Sequence, residues 1–153
     1  MDADGVWKGG FETRLEDGRG HVVTVDLPVD ASGRDSGTSP LELMVLSLAG
    51  CITTIFAMIA AKRKLAFEGL HVSLRADRPP GAPTIRKVYG TLEVRTEASK
   101  ADVETVLRLT LKTCPVGVLF ERAQIPVEVA LSISPTTVMR LHHFPGHAGP
   151  EPT

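Results

Sequence analysis

The chain has 153 residues, 42% of them apolar and 23% charged, with 17 basic against 18 acidic side chains for a net charge of −1. That length and balance describe one globular domain. Near-neutral charge, one Trp and one Tyr exclude a basic or aromatic nucleic-acid surface.

Met1 to Trp7 is acidic and has no apolar run, so it does not read as a signal peptide, and a cytoplasmic address follows. Val6 to Leu15 and His21 to Val29 read as two strands joined by the turn signal Glu16-Asp-Gly-Arg-Gly20. In the second, Val23, Val25 and Leu27 share one face and Thr24 and Asp26 the other. Pro28 to Thr38, rich in Gly, Ser and Asp, is a loop.

A helix opens at Ser39. Ser39 is the N-cap, Pro40 suits the first helical position, and Glu42 three residues on completes a capping box. It runs to about Lys64, where Lys62, Arg63 and Lys64 complement the dipole. Within it Leu43 to Ala61 carries no charge and is long enough to cross a bilayer. Ser47, Gly50, Cys51, Thr53 and Thr54 inside the run, and alternating strands on both sides, favour instead a helix buried in a core.

Glu68 to Arg78 and Thr84 to Glu97 are further strands, separated by Pro79-Pro-Gly81 and Pro83. A second helix starts at Ser99 and buries Val103, Val106, Leu107 and Leu111. Cys114 precedes Pro115 and is thereby pushed out of helical geometry, so a short third helix starts at Pro115 and reaches about Ala123. Ile125 to Ser134 is the last strand. The order β-β-α-β-β-α-α-β is α+β, because strands come in pairs. Residues 1–134 form a single domain and 135–153 a loose tail.

Chemistry concentrates in two cysteines. In a cytoplasmic protein a cysteine pair is more often redox-active than structural. Cys51 lies three turns into its helix, too far for the dipole to help, so any activation comes from groups the fold brings in. Cys114, capping the third helix, has backbone N–H groups directed at its sulfur. Each alone also reads as an ordinary buried or capping residue. Glu42 is explained by the capping box, and on an ideal helix it lies on the side opposite Cys51. Arg14, Arg19 and Arg34 are the basic candidates near the first helix; a guanidinium over Cys51 would stabilise its thiolate. His142, His143 and His147 form a tail cluster with no partner at metal-ligand spacing.

Gly37-Thr-Ser-Pro-Leu-Glu-Leu43, then Ala49-Gly-Cys51, then Cys114-Pro-Val116 resembles the OsmC/Ohr family of thiol-dependent organic hydroperoxide peroxidases, over about Val6 to Ile133. The resemblance implies an intertwined homodimer with long buried central helices wrapped by antiparallel sheet. It implies Cys51 as peroxidatic and Cys114 as resolving cysteine, regenerated by an external dithiol, possibly of lipoyl type, with no bound cofactor or metal. It implies an organic hydroperoxide substrate, and no nucleic-acid or membrane partner. In the family's peroxidases a Glu paired with an activating Arg follows the motif's Pro directly. Here that position is Leu41 and the carboxylate is Glu42, a placement closer to the YhfA-like subgroup; Arg34 is the candidate for the Arg. The alternatives are a redox-sensing or hydrophobic-ligand-binding protein on the same fold, and a membrane-associated protein built on the Leu43 to Ala61 run.

Overall fold

A computed structural model describes residues 1–135. Ten elements follow in order: β1 (Asp4–Gly9), β2 (Glu12–Glu16), β3 (Val22–Val25), a single 3-10 turn (Val29–Ala31), α1 (Pro40–Lys62), β4 (Gly69–Asp77), β5 (Lys87–Arg95), α2 (Lys100–Thr113), α3 (Pro115–Arg122) and β6 (Val127–Ser134).

The N-terminal segment departs from the two-strand expectation. Val6 to Leu15 is not one strand but a hairpin, with β1 and β2 antiparallel and a register shift between Trp7 and Gly9. Gly9 and Gly10 both take positive φ, at 115° and 57°. Only glycine adopts that backbone without steric cost, so the Gly-Gly pair turns the chain where alternation alone reads straight through. The order is therefore β-β-β-α-β-β-α-α-β, still α+β. β3 pairs with β2 to complete a three-stranded antiparallel meander.

The second sheet has the order β4-β5-β6, with β4 antiparallel to β5 and β5 parallel to β6. A parallel pair needs a crossover between its strands, and α2 with α3 supplies it. The three helices pack beside this sheet. Leu48, Ile52, Phe56 and Ala60 of α1, Val88, Leu92 and Val94 of β5, and Val103 and Val106 of α2 are at most 1% exposed. Phe56 meets Phe67 edge-on, ring centres 5.9 Å apart at 83°, a favourable aromatic arrangement.

α1 begins as its residues dictate. Ser39 Oγ accepts the Glu42 N–H, and Glu42 Oε2 accepts the Ser39 N–H at 2.8 Å, a complete capping box. Its far end stops at Lys62, two residues short of the expected Lys64. The helix is long and apolar enough to cross a membrane by length and composition, yet one stripe of it lies in the core of this fold. It is not buried all round within one chain: Met44, Leu46 and Met58 stand 43%, 57% and 50% exposed. Within one chain α1 packs against β4, α2 and α3, and a helix apolar on every side keeps the rest of its face uncovered.

The loop before α1 is tied down by a group read from sequence as a polar strand residue. Asp26 is 1% exposed. Its carboxylate accepts the N–H groups of Leu27, Arg34 and Ser36 at 2.8, 3.1 and 3.2 Å. Ser36 Oγ lies 2.9 Å from it and 3.0 Å from Glu12 Oε2. Burial alone raises the Asp26 pKa, but the hydrogen bonds from Ser36, Leu27 and Arg34 outweigh it and hold the carboxyl below its ordinary value. Gly37 then passes so close to β3 that a Cβ would stand 2.3 Å from Thr24 O, and Thr38 bridges Val25. The Gly-Thr-Ser-Pro stretch thus anchors the start of α1 to the N-terminal sheet. The tail assigned from sequence to 135–153, with His142, His143 and His147, lies outside the described residues beyond Pro135.

Candidate active site

Cys114 belongs to two helices at once. Its backbone is extended, φ −62° and ψ 113°, as a residue before proline should be. Its N–H donates to Thr110 O at 2.8 Å and closes α2; its carbonyl accepts the Val118 N–H at 2.9 Å and opens α3. The side chain completes the cap: Sγ accepts the Gly117 N–H at 3.3 Å. Gly117 was not singled out from sequence, although the third residue after an N-cap is the donor a cap requires.

α1 packs against both α2 and α3, and this brings its half-buried Cys51 to the junction. The two thiols are free, and Cys114 Sγ lies 2.7 Å from Cys51 Sγ across 63 residues of sequence. Cys114 is fully buried. Its thiol is pushed from an ordinary 9.0 up to about 11, first by burial and then by the hydrogen bond with Cys51; the Gly117 N–H opposes the shift. Cys114 therefore keeps its proton at neutral pH and directs it at the Cys51 sulfur.

The charged candidates lie elsewhere. Glu42 Oε2 is held by the Ser39 hydroxyl at 2.7 Å, the Ser39 N–H and Thr38 Oγ1. These bonds, from Ser39 above all, lower its pKa. Glu42 also borders a different cleft from Cys114, one lined by Val45, Leu46, Ala49 and β4. Arg34 Nη2 is paired with Glu12 Oε2 at 2.8 Å, Arg14 with Glu16 at 2.7 Å and Arg19 with Asp17 at 2.7 Å. The fold thus joins the two cysteines and, within one chain, gives Glu42 and Arg34 other partners. Among the described residues no group of three His, Cys, Asp or Glu could hold a metal ion.

The sequence pattern of the OsmC-like protein family matches residues 33–130, which include both cysteines. The chain belongs to the OsmC family. Solved structures agree on the fold. An OsmC-like protein from Mycoplasma pneumoniae superposes with a TM-score of 0.75 at 15% identity, over 89% of this chain and 96% of that one. An organic hydroperoxide resistance protein from Elizabethkingia anophelis gives 0.69 at 15% identity, over 86% and 94%. The OsmC organic hydroperoxide resistance protein of Legionella pneumophila gives 0.58 at 21% identity, over 87% and 95%. No curated protein matches the chain. Membership in the OsmC family places the long apolar helix in a known globular fold, with its Cys51 beside Cys114.

Proposed function

We propose that the protein is a thiol-dependent peroxidase that reduces organic hydroperoxides to alcohols. The observation that supports this best is the 2.7 Å approach of Cys114 Sγ to Cys51 Sγ. The Cys51 thiolate attacks the terminal peroxide oxygen; the O–O bond breaks, the alkoxide takes a proton and leaves as alcohol, and Cys51 becomes a sulfenic acid. Cys114 then displaces the sulfenic oxygen, which leaves as water with the Cys114 proton, and an intramolecular disulfide remains. An external dithiol, possibly of lipoyl type, restores the pair by exchange. The apolar flank of α1 around Cys51 suits an alkyl hydroperoxide. In this reading the protein acts in the cytoplasm as a homodimer, without a bound cofactor and without nucleic-acid or membrane partners.

Peptide mass spectrometry after one equivalent of cumene hydroperoxide, with free thiols then blocked, tests it. A two-hydrogen mass loss mapped to a Cys51–Cys114 bridge is expected, and two blocked, unoxidised cysteines would overturn the reading. A second reading, a redox-sensing or apolar-ligand-binding protein that does not turn over, is favoured by one observation. Glu42 and Arg34 are engaged with Ser39 and Glu12. Sustained turnover of hydroperoxide with dithiothreitol would exclude that alternative.

A further inference from the structure

Cys114 Sγ makes two hydrogen bonds of opposite sense. It accepts the Gly117 N–H at 3.3 Å, which engages a sulfur lone pair, and it lies 2.7 Å from Cys51 Sγ. A thiol has one proton to donate. With its lone pair met by Gly117, Cys114 turns that proton toward Cys51. Burial assigns the roles in the same way. Cys114 is 0% exposed and sits inside the apolar core, whereas Cys51 is half-buried and packs against that core. Removal from water disfavours the charged form. Cys51 is therefore the sulfur that ionises first and Cys114 the one that stays protonated, in keeping with a Cys114 thiol raised to about 11. α1 carries no charge from Leu43 to Ala61. Lys112 of α2 and Glu121 of α3 are exposed and border a cavity that Cys114 lines and Cys51 does not. Glu42 and Arg34 are held by Ser39 and Glu12.

We infer that the Cys114 thiol is the activating group of this site: it donates a hydrogen bond to the Cys51 thiolate and stabilises it before the peroxide arrives. The inference deepens the peroxidase reading and rests on it, because a stabilised thiolate serves attack on the O–O bond. It gives Cys114 a role earlier than resolution, and it gives Cys51 an activator from its own chain that is neither the α1 dipole nor a guanidinium. Hydrogen bonding to the charged form favours that form, and the bond is worth more beside an apolar core than in water. Nothing is transferred at this stage. The proton stays on Cys114, and the negative charge stays on Cys51 until its sulfur bonds to the peroxide oxygen. The same thiol then already stands beside the sulfenic acid that it resolves.

The test uses alkylation and no peroxide. Iodoacetamide labelling of Cys51 in the reduced chain is followed by peptide mapping from pH 6 to pH 10. The parent is compared with Cys114→Ala and Cys114→Ser, each confirmed as folded by circular dichroism melting. Both variants abolish the resolving thiol, but Cys114→Ser keeps a donor as a hydroxyl and Cys114→Ala does not. Cys114→Ala should label roughly fivefold more slowly than the parent at pH 7 and recover at high pH, because losing a hydrogen bond to a charged group shrinks the thiolate fraction. Cys114→Ser should stay within about twofold of the parent. An unchanged rate in Cys114→Ala, or equal losses in both variants, would overturn the donor. So would a change of the same size at every pH, which reports access instead of ionisation. As a second measurement on an intact Cys114, its infrared S–H band should lie at lower frequency in the parent than in Cys51→Ala, which takes away the acceptor. Bands at the same frequency would overturn the donor. A chain that passes both measurements and is still not oxidised by cumene hydroperoxide would lose the peroxidase reading and keep the hydrogen bond.

Discussion

At the scale of single residues, the two sulfurs are differentiated by burial. Cys51 is half-buried, whereas Cys114 is enclosed, hydrogen-bonded to Gly117 and raised to about 11. In the reduced protein at pH 8, iodoacetamide should therefore label Cys51 well before Cys114, and the order should vanish in denaturant. Peptide mapping reads this directly, and first labelling of Cys114 would contradict the assigned environments. Because the folded pKa of Cys114 exceeds the ordinary 9.0, its contribution to stability is complete below pH 9 and is lost as pH rises toward 11. Glu42 and Asp26 have the opposite sign. Their carboxyls are held below ordinary values, so their contributions are present at neutral pH and lost as acid protonates them. Cys114→Ser should leave the Cys51 sulfenic acid without its partner. After hydroperoxide it should be captured by dimedone as a Cys51 adduct, and an absence of adduct would remove Cys51 from the peroxidatic role.

At the scale of elements, α1 combines an exposed cap with a buried stripe, and the two differ in energetic weight. Ser39→Ala removes the acceptor for the Glu42 N–H and loosens the Glu42 carboxylate; it should cost about 1 kcal/mol. Phe56→Ala empties a fully buried site against Phe67 and should cost about 4 kcal/mol. Urea denaturation of the two variants beside the parent chain measures both, and equal losses would contradict the placement of Phe56 in the core. The α2–α3 junction shows how an element boundary makes a site. Proline at 115 ends one helix and starts the next, and the residue that must be extended between them is the one bearing the thiol.

At the scale of the whole molecule, uncovered apolar surface dominates. Met44, Leu46 and Met58 on α1, Val6, Trp7, Val22 and Val23 on the N-terminal sheet and Phe11 in its first turn are all at least 40% exposed. Patches of this kind mark association surfaces. Analytical ultracentrifugation should show a dimer, and Leu46→Glu, which sets a charge on the most exposed apolar residue of α1, should shift it to monomer. A monomeric parent chain would remove the dimer from the proposal.

Much of this was legible in the sequence because it depends on near neighbours. The Ser39–Glu42 box, the Pro115 boundary, the capping role of Cys114 and the alternation of β4 and β5 each rest on residues a few positions apart, and local backbone sterics settle them. The Gly9-Gly10 turn was local too, but it sat inside an apolar run whose alternation masked it. Other features needed the fold. Asp26 alternates as a surface residue and is buried because a loop ten residues on folds back over it. Thr110, not Leu111, lies fully inside α2, its hydroxyl donating to Val106 O at 2.8 Å. The meeting of Cys51 with Cys114 spans 63 residues and depends on how three helices pack. A one-dimensional pattern records which face of a helix is apolar. Only packing decides which other face it meets, because that choice is made by contacts between residues far apart in the chain.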